Sequence, residues 1–169
     1  MRVADGIAPS IDASVSMYPE GFLRLLAVRA SMSSDPAPGL PDSAAPFQVA
    51  GAADAPVATW RAHWSSLITR IGMLSHDHRD VPIWPVSLPV VDGEALNRWR
   101  SSLRRTPAGT PLEERPSRLY WHARTANPDL PRTVVVLPFE ESWSRRATEQ
   151  VGLVSVATFF TDAAEAFLL

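Results

Sequence analysis

Thr133-Val134-Val135-Val136-Leu137 and, further on, Val151-Gly152-Leu153-Val154-Ser155-Val156-Ala157-Thr158-Phe159-Phe160 decide the fold of this chain. Successive side chains of a strand point to opposite faces. Both runs are apolar at odd and even positions alike, so a strand built from either has two faces to bury. Such strands belong inside a sheet covered on both sides. The chain has 169 residues, 46% of them hydrophobic, enough for one core without a disulfide or a structural metal.

Two more segments read as strands. Gly21 to Met32 (GFLRLLAVRASM) sets Phe22, Leu26 and Val28 on one face and Leu23, Leu25 and Ala27 on the other. Periodicity does not separate helix from strand in so short an apolar run; its Val and Phe content and the flanking glycine favour a strand over 22–30. Arg118 to Arg124 (RLYWHAR) alternates, with Leu119, Trp121 and Ala123 opposite Tyr120, His122 and Arg124. Asn127-Pro128-Asp129 and Pro131 make a turn before the next strand.

The clearest helix spans 55–74. Val57, Trp60, Trp64, Leu67, Ile68, Ile71 and Leu74 form one apolar stripe, Asp54 offers an N-cap and Pro56 suits the first turn. A second helix, 94–105, follows Asp92 as its cap, with Leu96, Trp99 and Leu103 on the apolar side. Residues 33–53 carry Pro36, Pro38, Pro41 and Pro46, which fit neither a helix interior nor a central strand, and read as a flexible loop or linker. Glu140 to Gln150 reads as a polar loop or helical turn. Asp162 is placed to cap a last helix, 163–169. The expectation is a single α+β domain over 1–169, a mostly antiparallel sheet of about four strands (22–30, 118–124, 133–138, 151–160) packed by two main helices, with the Pro/Ala-rich loop standing off it.

Composition narrows the function. The absence of cysteine excludes a disulfide scaffold, a thiolate metal site and a cysteine nucleophile. Every basic residue is arginine, as a GC-rich bacterial coding sequence would give, so no lysine is present for Schiff-base or general-base work. A net charge of −2 argues against general nucleic-acid binding and against a polybasic membrane anchor. No run is long and apolar enough for a spanning helix, and the first residues do not read as a signal peptide, so a cytoplasmic protein is expected.

His76-Asp77-His78-Arg79-Asp80 is the densest group of potential ligands. Two imidazoles two residues apart can turn to one zinc or other divalent ion, with Asp80 as a third ligand. The segment resembles the His-x-His-x-Asp-His motif of the metallo-β-lactamase family, and departs from it at position 81, where this chain has valine. The bland alternative is a polar turn at a helix C-terminus, where the helix dipole favours partly charged imidazoles. His122, flanked by Tyr120 and Arg124, is the candidate for proton transfer. Arg100 and Arg104 are four residues apart and share a helix face. Trp84 and Trp143 stand in loop-like contexts, as interface aromatics do.

The reading that follows is a non-catalytic binding or accessory protein. It recognises another protein through loop aromatics and arginines (Trp84, Trp143, Arg100, Arg104) and needs no cofactor. The alternatives are a metal-dependent hydrolase, with His76, His78 and Asp80 on the ion and His122 moving a proton, and a small-molecule-binding domain with an aromatic pocket near Trp84 and Trp121.

Overall fold

A computed structural model describes residues 13–43, 45–73, 83–103 and 115–162. The order is β1 (Ser14–Met17), α1 (Glu20–Ala30), α2 (Val57–Met73), α3 (Gly93–Leu103), α4 (Arg115–Ala126), β2 (Thr133–Leu137), β3 (Ser144–Arg146), β4 (Val151–Ser155) and α5 (Val156–Asp162). The four strands form one sheet in the order β1-β2-β4-β3. The chain is α+β in content, but the sheet is mixed and not mostly antiparallel. β1 pairs parallel with β2 and β2 parallel with β4, while β3 alone runs antiparallel, against β4.

Every residue of β2 and β4 is buried, as their two-sided apolar runs require. A parallel neighbour usually needs a long crossover. Here β3 carries the chain back to the starting end of the sheet, and a turn then feeds β4 in between β2 and β3. Thr148 holds that turn, its Oγ1 accepting from the backbone N–H groups of Gln150 and Val151 at 3.2 and 3.0 Å. β1 is fastened in register with β2, its Ser14 Oγ lying 2.9 Å from Thr133 Oγ1.

The run 22–30 is a helix and not a strand. Pro19 sits at its N-cap, Glu20 pairs with Arg24 one turn on at 2.6 Å, and Phe22, Leu23, Leu25, Leu26, Ala27 and Val28 are all buried. A helix enclosed on nearly every side shows no amphipathic stripe, so its apolar run imitates a two-faced strand. Entry into α1 is sharp. Tyr18, at the end of β1, adopts φ +50°, unusual for a side chain of that bulk. Its N–H still bonds Val136 O at 3.0 Å, and burial pushes the phenol up to about 12.

The 118–124 segment is likewise helical, within α4. Tyr120 is buried, Ala123 half-buried and His122 exposed, so the contrast follows helical spacing and not alternation. Tyr120 anchors α4 to the turn before β2, its hydroxyl donating to Pro131 O at 2.6 Å. The strand expected over 151–160 stops at Ser155. There the buried Ser155 Oγ accepts from Thr158 N–H at 3.2 Å, capping α5 and turning the chain into a helix. The proposed last helix over 163–169 lies outside the described residues.

α2 and α3 stand where the sequence puts them. Asp92 caps α3, its Oδ1 accepting from Glu94 N–H at 2.9 Å. Asp54 is not the cap of α2: the helix starts at Val57, and Pro56 O receives the first bond, from Trp60 N–H at 3.1 Å. α2 crosses the sheet closely at Gly72, where a Cβ would stand 2.9 Å from Val151 Cγ2, so only glycine fits without a shift. Trp60 stacks on Trp64 at 5.1 Å, Phe22 meets Trp64 edge-on at 4.9 Å, and the Trp60 indole donates to Leu25 O at 2.8 Å. These contacts bind α2 to α1.

The Pro-rich segment after α1 packs on the body of the protein. Leu40, Val49 and Ala52 are buried and Phe47 meets Trp99 of α3 edge-on. Arg29, buried at the end of α1, organises it. Its guanidinium grips both carboxylate oxygens of Asp35, at 2.8 and 3.0 Å. It also donates to the carbonyls of Ala37, Leu40 and Pro41 at 3.2, 2.9 and 2.5 Å.

Candidate functional site

Between α2 and α3 the chain runs through Ile83-Trp84-Pro85-Val86-Ser87-Leu88-Pro89-Val90-Val91. Prolines fix φ and withhold N–H groups, so the segment can join neither helix nor sheet. It closes on itself instead. Leu88 N–H bonds Pro85 O at 3.0 Å, and the Trp84 indole donates to Pro89 O at 3.2 Å. Leu88 and Val91 point into the core. The Trp84 ring packs edge-on to His63 of α2 at 5.3 Å, with the Arg24 guanidinium 5.9 Å from its centroid. The ring is thus the root of the loop, half-buried.

The outer side of this loop is apolar and open. Ile83, Val86 and Val90 are 93%, 103% and 86% exposed. Single exposed aliphatics are ordinary; here three lie on one rooted loop. Trp84, expected as a contact residue, is half-buried at the root of the loop, and Ile83, Val86 and Val90 beside it are exposed. Their signal in the sequence was apolar residues between prolines that have no strand or helix to serve.

His63 ties this loop to the titration of the protein. It is buried against Trp84, and burial, then the positive Arg70, hold its pKa below the ordinary 6.5. The native imidazole thus takes up its proton at a lower pH than the unfolded chain, which does so near 6.5. The unfolded state binds more protons below that pH, so the contribution is fully present above it and is lost as pH falls. Melting temperature is expected to drop between about pH 7.5 and about pH 5, and less steeply in His63→Gln. Equal slopes for both proteins would show that His63 is not responsible.

A cavity of about 480 Å³ opens elsewhere, between the Pro36–Leu40 bend, α2 and the β3–β4 hairpin. Trp60, Trp64, Ile68 and Leu153 line its apolar part, and Arg61 and Arg145 are its charged lining residues. The aromatic pocket expected near Trp84 and Trp121 is not this one. The side chain of Trp121 lies outside the described residues.

The other expected site residues scatter. Trp143 is half-buried, edge-on to Phe139 at 5.4 Å, with its backbone N–H held by Ser155 and Thr158 hydroxyls at 3.1 and 2.9 Å. Arg100 is half-buried, and its Nε is buried without a hydrogen-bond partner among the described residues. Arg104 lies outside the described residues, as do His76, Asp77, His78, Arg79 and Asp80, and with them the zinc reading. His122 is exposed on α4, with Tyr120 buried on another side of the helix, so the shared strand face imagined for the two does not exist. Among the described residues no group of three His, Asp or Glu can hold a metal ion, and no helix is long and apolar enough to cross a membrane.

Comparison with known protein families, with curated proteins and with solved structures finds no match for this chain.

Proposed function

We propose that this is a non-catalytic binding protein that recognises another protein through the loop Ile83–Val91. The observation that carries the reading is the full exposure of Ile83, Val86 and Val90 on a loop rooted by Trp84, Leu88 and Val91. A rooted loop loses little conformational freedom on docking, and three aliphatic side chains supply the dry centre that stable interfaces have. The partner's matching surface is an apolar groove. The sequence expectation of a cytoplasmic setting is kept in this reading.

The test is a triple substitution, Ile83→Ser, Val86→Ser and Val90→Ser. All three side chains are solvated, so denaturation midpoints should match wild type within about 0.5 kcal/mol. Chemical crosslinking in the native host, followed by co-purification, should give a stoichiometric partner with wild type and lose it with the variant. Backbone amides of the loop should exchange more slowly in the complex. Identical co-purifying proteins from both forms, or unchanged exchange over 83–91, would defeat the proposal.

A further inference from the structure

We infer that the cavity between the Pro36–Leu40 bend, α2 and β3 binds a small carboxylate with an apolar body, at a site separate from the 83–91 loop. Its volume of about 480 Å³ lies within the range of small-ligand pockets. Its apolar wall is Ile68 and the edge of Trp64, with Trp60 and Leu153 buried behind them, and among the described residues no Asp or Glu lines it. Among the described residues its two charged lining residues are both arginines, which argues for an anion.

The two guanidiniums are differently prepared. Arg61 donates from Nε to Pro36 O at 2.6 Å, which fixes the plane of the group at the cavity edge. Its Nη atoms make no hydrogen bond among the described residues. Arg145 stands opposite Leu153 across the β3–β4 pairing, which puts both on one face of the sheet, the face that borders the cavity. Its side chain makes no hydrogen bond or ion pair among the described residues, whereas its neighbour Arg146, pointing the other way, bonds the carbonyls of Asp129 and Glu149 at 2.7 and 3.2 Å. The nearby acid, Asp35, has both oxygens engaged by Arg29, and its charge also acts on Arg61, which leaves Arg145 as the guanidinium without an acid beside it among the described residues. Two planar guanidinium groups beside an apolar wall match a carboxylate head, which they hold by charge-assisted hydrogen bonds, and an apolar tail.

The experiment is calorimetric titration of the full chain with 1-naphthoate, indole-3-acetate and octanoate, each beside its neutral alcohol, and with inorganic phosphate. At least one carboxylate should bind saturably at one site, about tenfold or more tighter than its alcohol, since each charge-assisted bond is worth about that factor. Phosphate should bind far more weakly. Arg145→Gln, whose side chain supports no internal contact, should keep the wild-type melting temperature and lose about tenfold in carboxylate affinity while leaving the alcohol unchanged. Arg61→Gln provides the second arm. Absence of saturable binding by all three acids, equal binding of acid and alcohol, binding of phosphate as tight as the acids, or unchanged affinity in both arginine variants would each overturn the inference.

Discussion

Arg29→Ala is expected to lower the free energy of unfolding by about 3 kcal/mol, because it removes a buried cation whose five hydrogen bonds hold the Pro-rich segment. The substitution strips the donors from the carbonyls of Ala37, Leu40 and Pro41 at once, and leaves a gap at the end of α1. Arg29→Lys should recover less than half of the loss, since an ammonium cannot form the paired contact with Asp35 and reach three carbonyls together. Asp35→Asn should cost about 1 kcal/mol, the carboxylate being partly solvated. Urea denaturation measures all three, and proteolysis within 35–42 should speed up first in Arg29→Ala. If Arg29→Ala and Asp35→Asn cost the same, the carbonyl contacts contribute nothing and the argument fails. The pH dependence has a definite sign. The Arg29 hydrogen bond holds the Asp35 carboxyl below the ordinary 3.8, so its contribution is complete above that pH. It fades as pH falls further, where the unfolded chain takes the proton first.

Trp60→Ala should cost about 4 kcal/mol. The residue is buried, stacks on Trp64, and gives its indole N–H to a carbonyl of α1. Truncation removes a large apolar area and opens a void between the helices that the rigid α1 does not refill. Trp60→Phe separates the contributions: most of the area remains, the N–H is lost, and the expected cost is about 1 kcal/mol. Denaturant midpoints of the two variants decide the matter. Equal losses would mean that the hydrogen bond, and not the stacked area, holds α1 to α2.

The parts of the fold that could be read from the residues are those with one strong local signal. The stripe from Val57 to Ile71 can only be a half-exposed helix, and TVVVL can only be an enclosed strand. α1 imitates a strand because burial on all sides erases periodicity, and α4 because Leu119, Trp121 and Ala123 happen to alternate with the more polar Tyr120, His122 and Arg124 over a stretch too short to show helical phase. β1 escaped notice, its Ser14 and Ser16 being ordinary polar residues that pair because β2 is there. The parallel sense of the sheet depends on the helices between β1 and β2 and on β3 between β2 and β4 bringing the chain back, long-range facts with no local mark. The candidate surface was half legible: the apolar residues between Pro82 and Pro89 were visible, but which pointed outward depended on where Trp84 and Leu88 rooted. The arginines of the cavity come from α2 and β3, far apart in sequence, and only the fold brings them together.

The pairing of Ser14–Met17 with Thr133–Val136 also sets the order of events during synthesis. The first strand leaves the ribosome long before its partner exists. Closing a loop of that length is entropically uphill until β2 arrives, and distant pairing of this kind slows folding. α1 and α2, joined by Trp60 and Phe22, are local enough to assemble early. Until the last third has been made, β1 has no strand to pair with and the sheet cannot close. A premature stop after α4 would leave helices with no sheet to cover, because β2, β3 and β4 all lie beyond it.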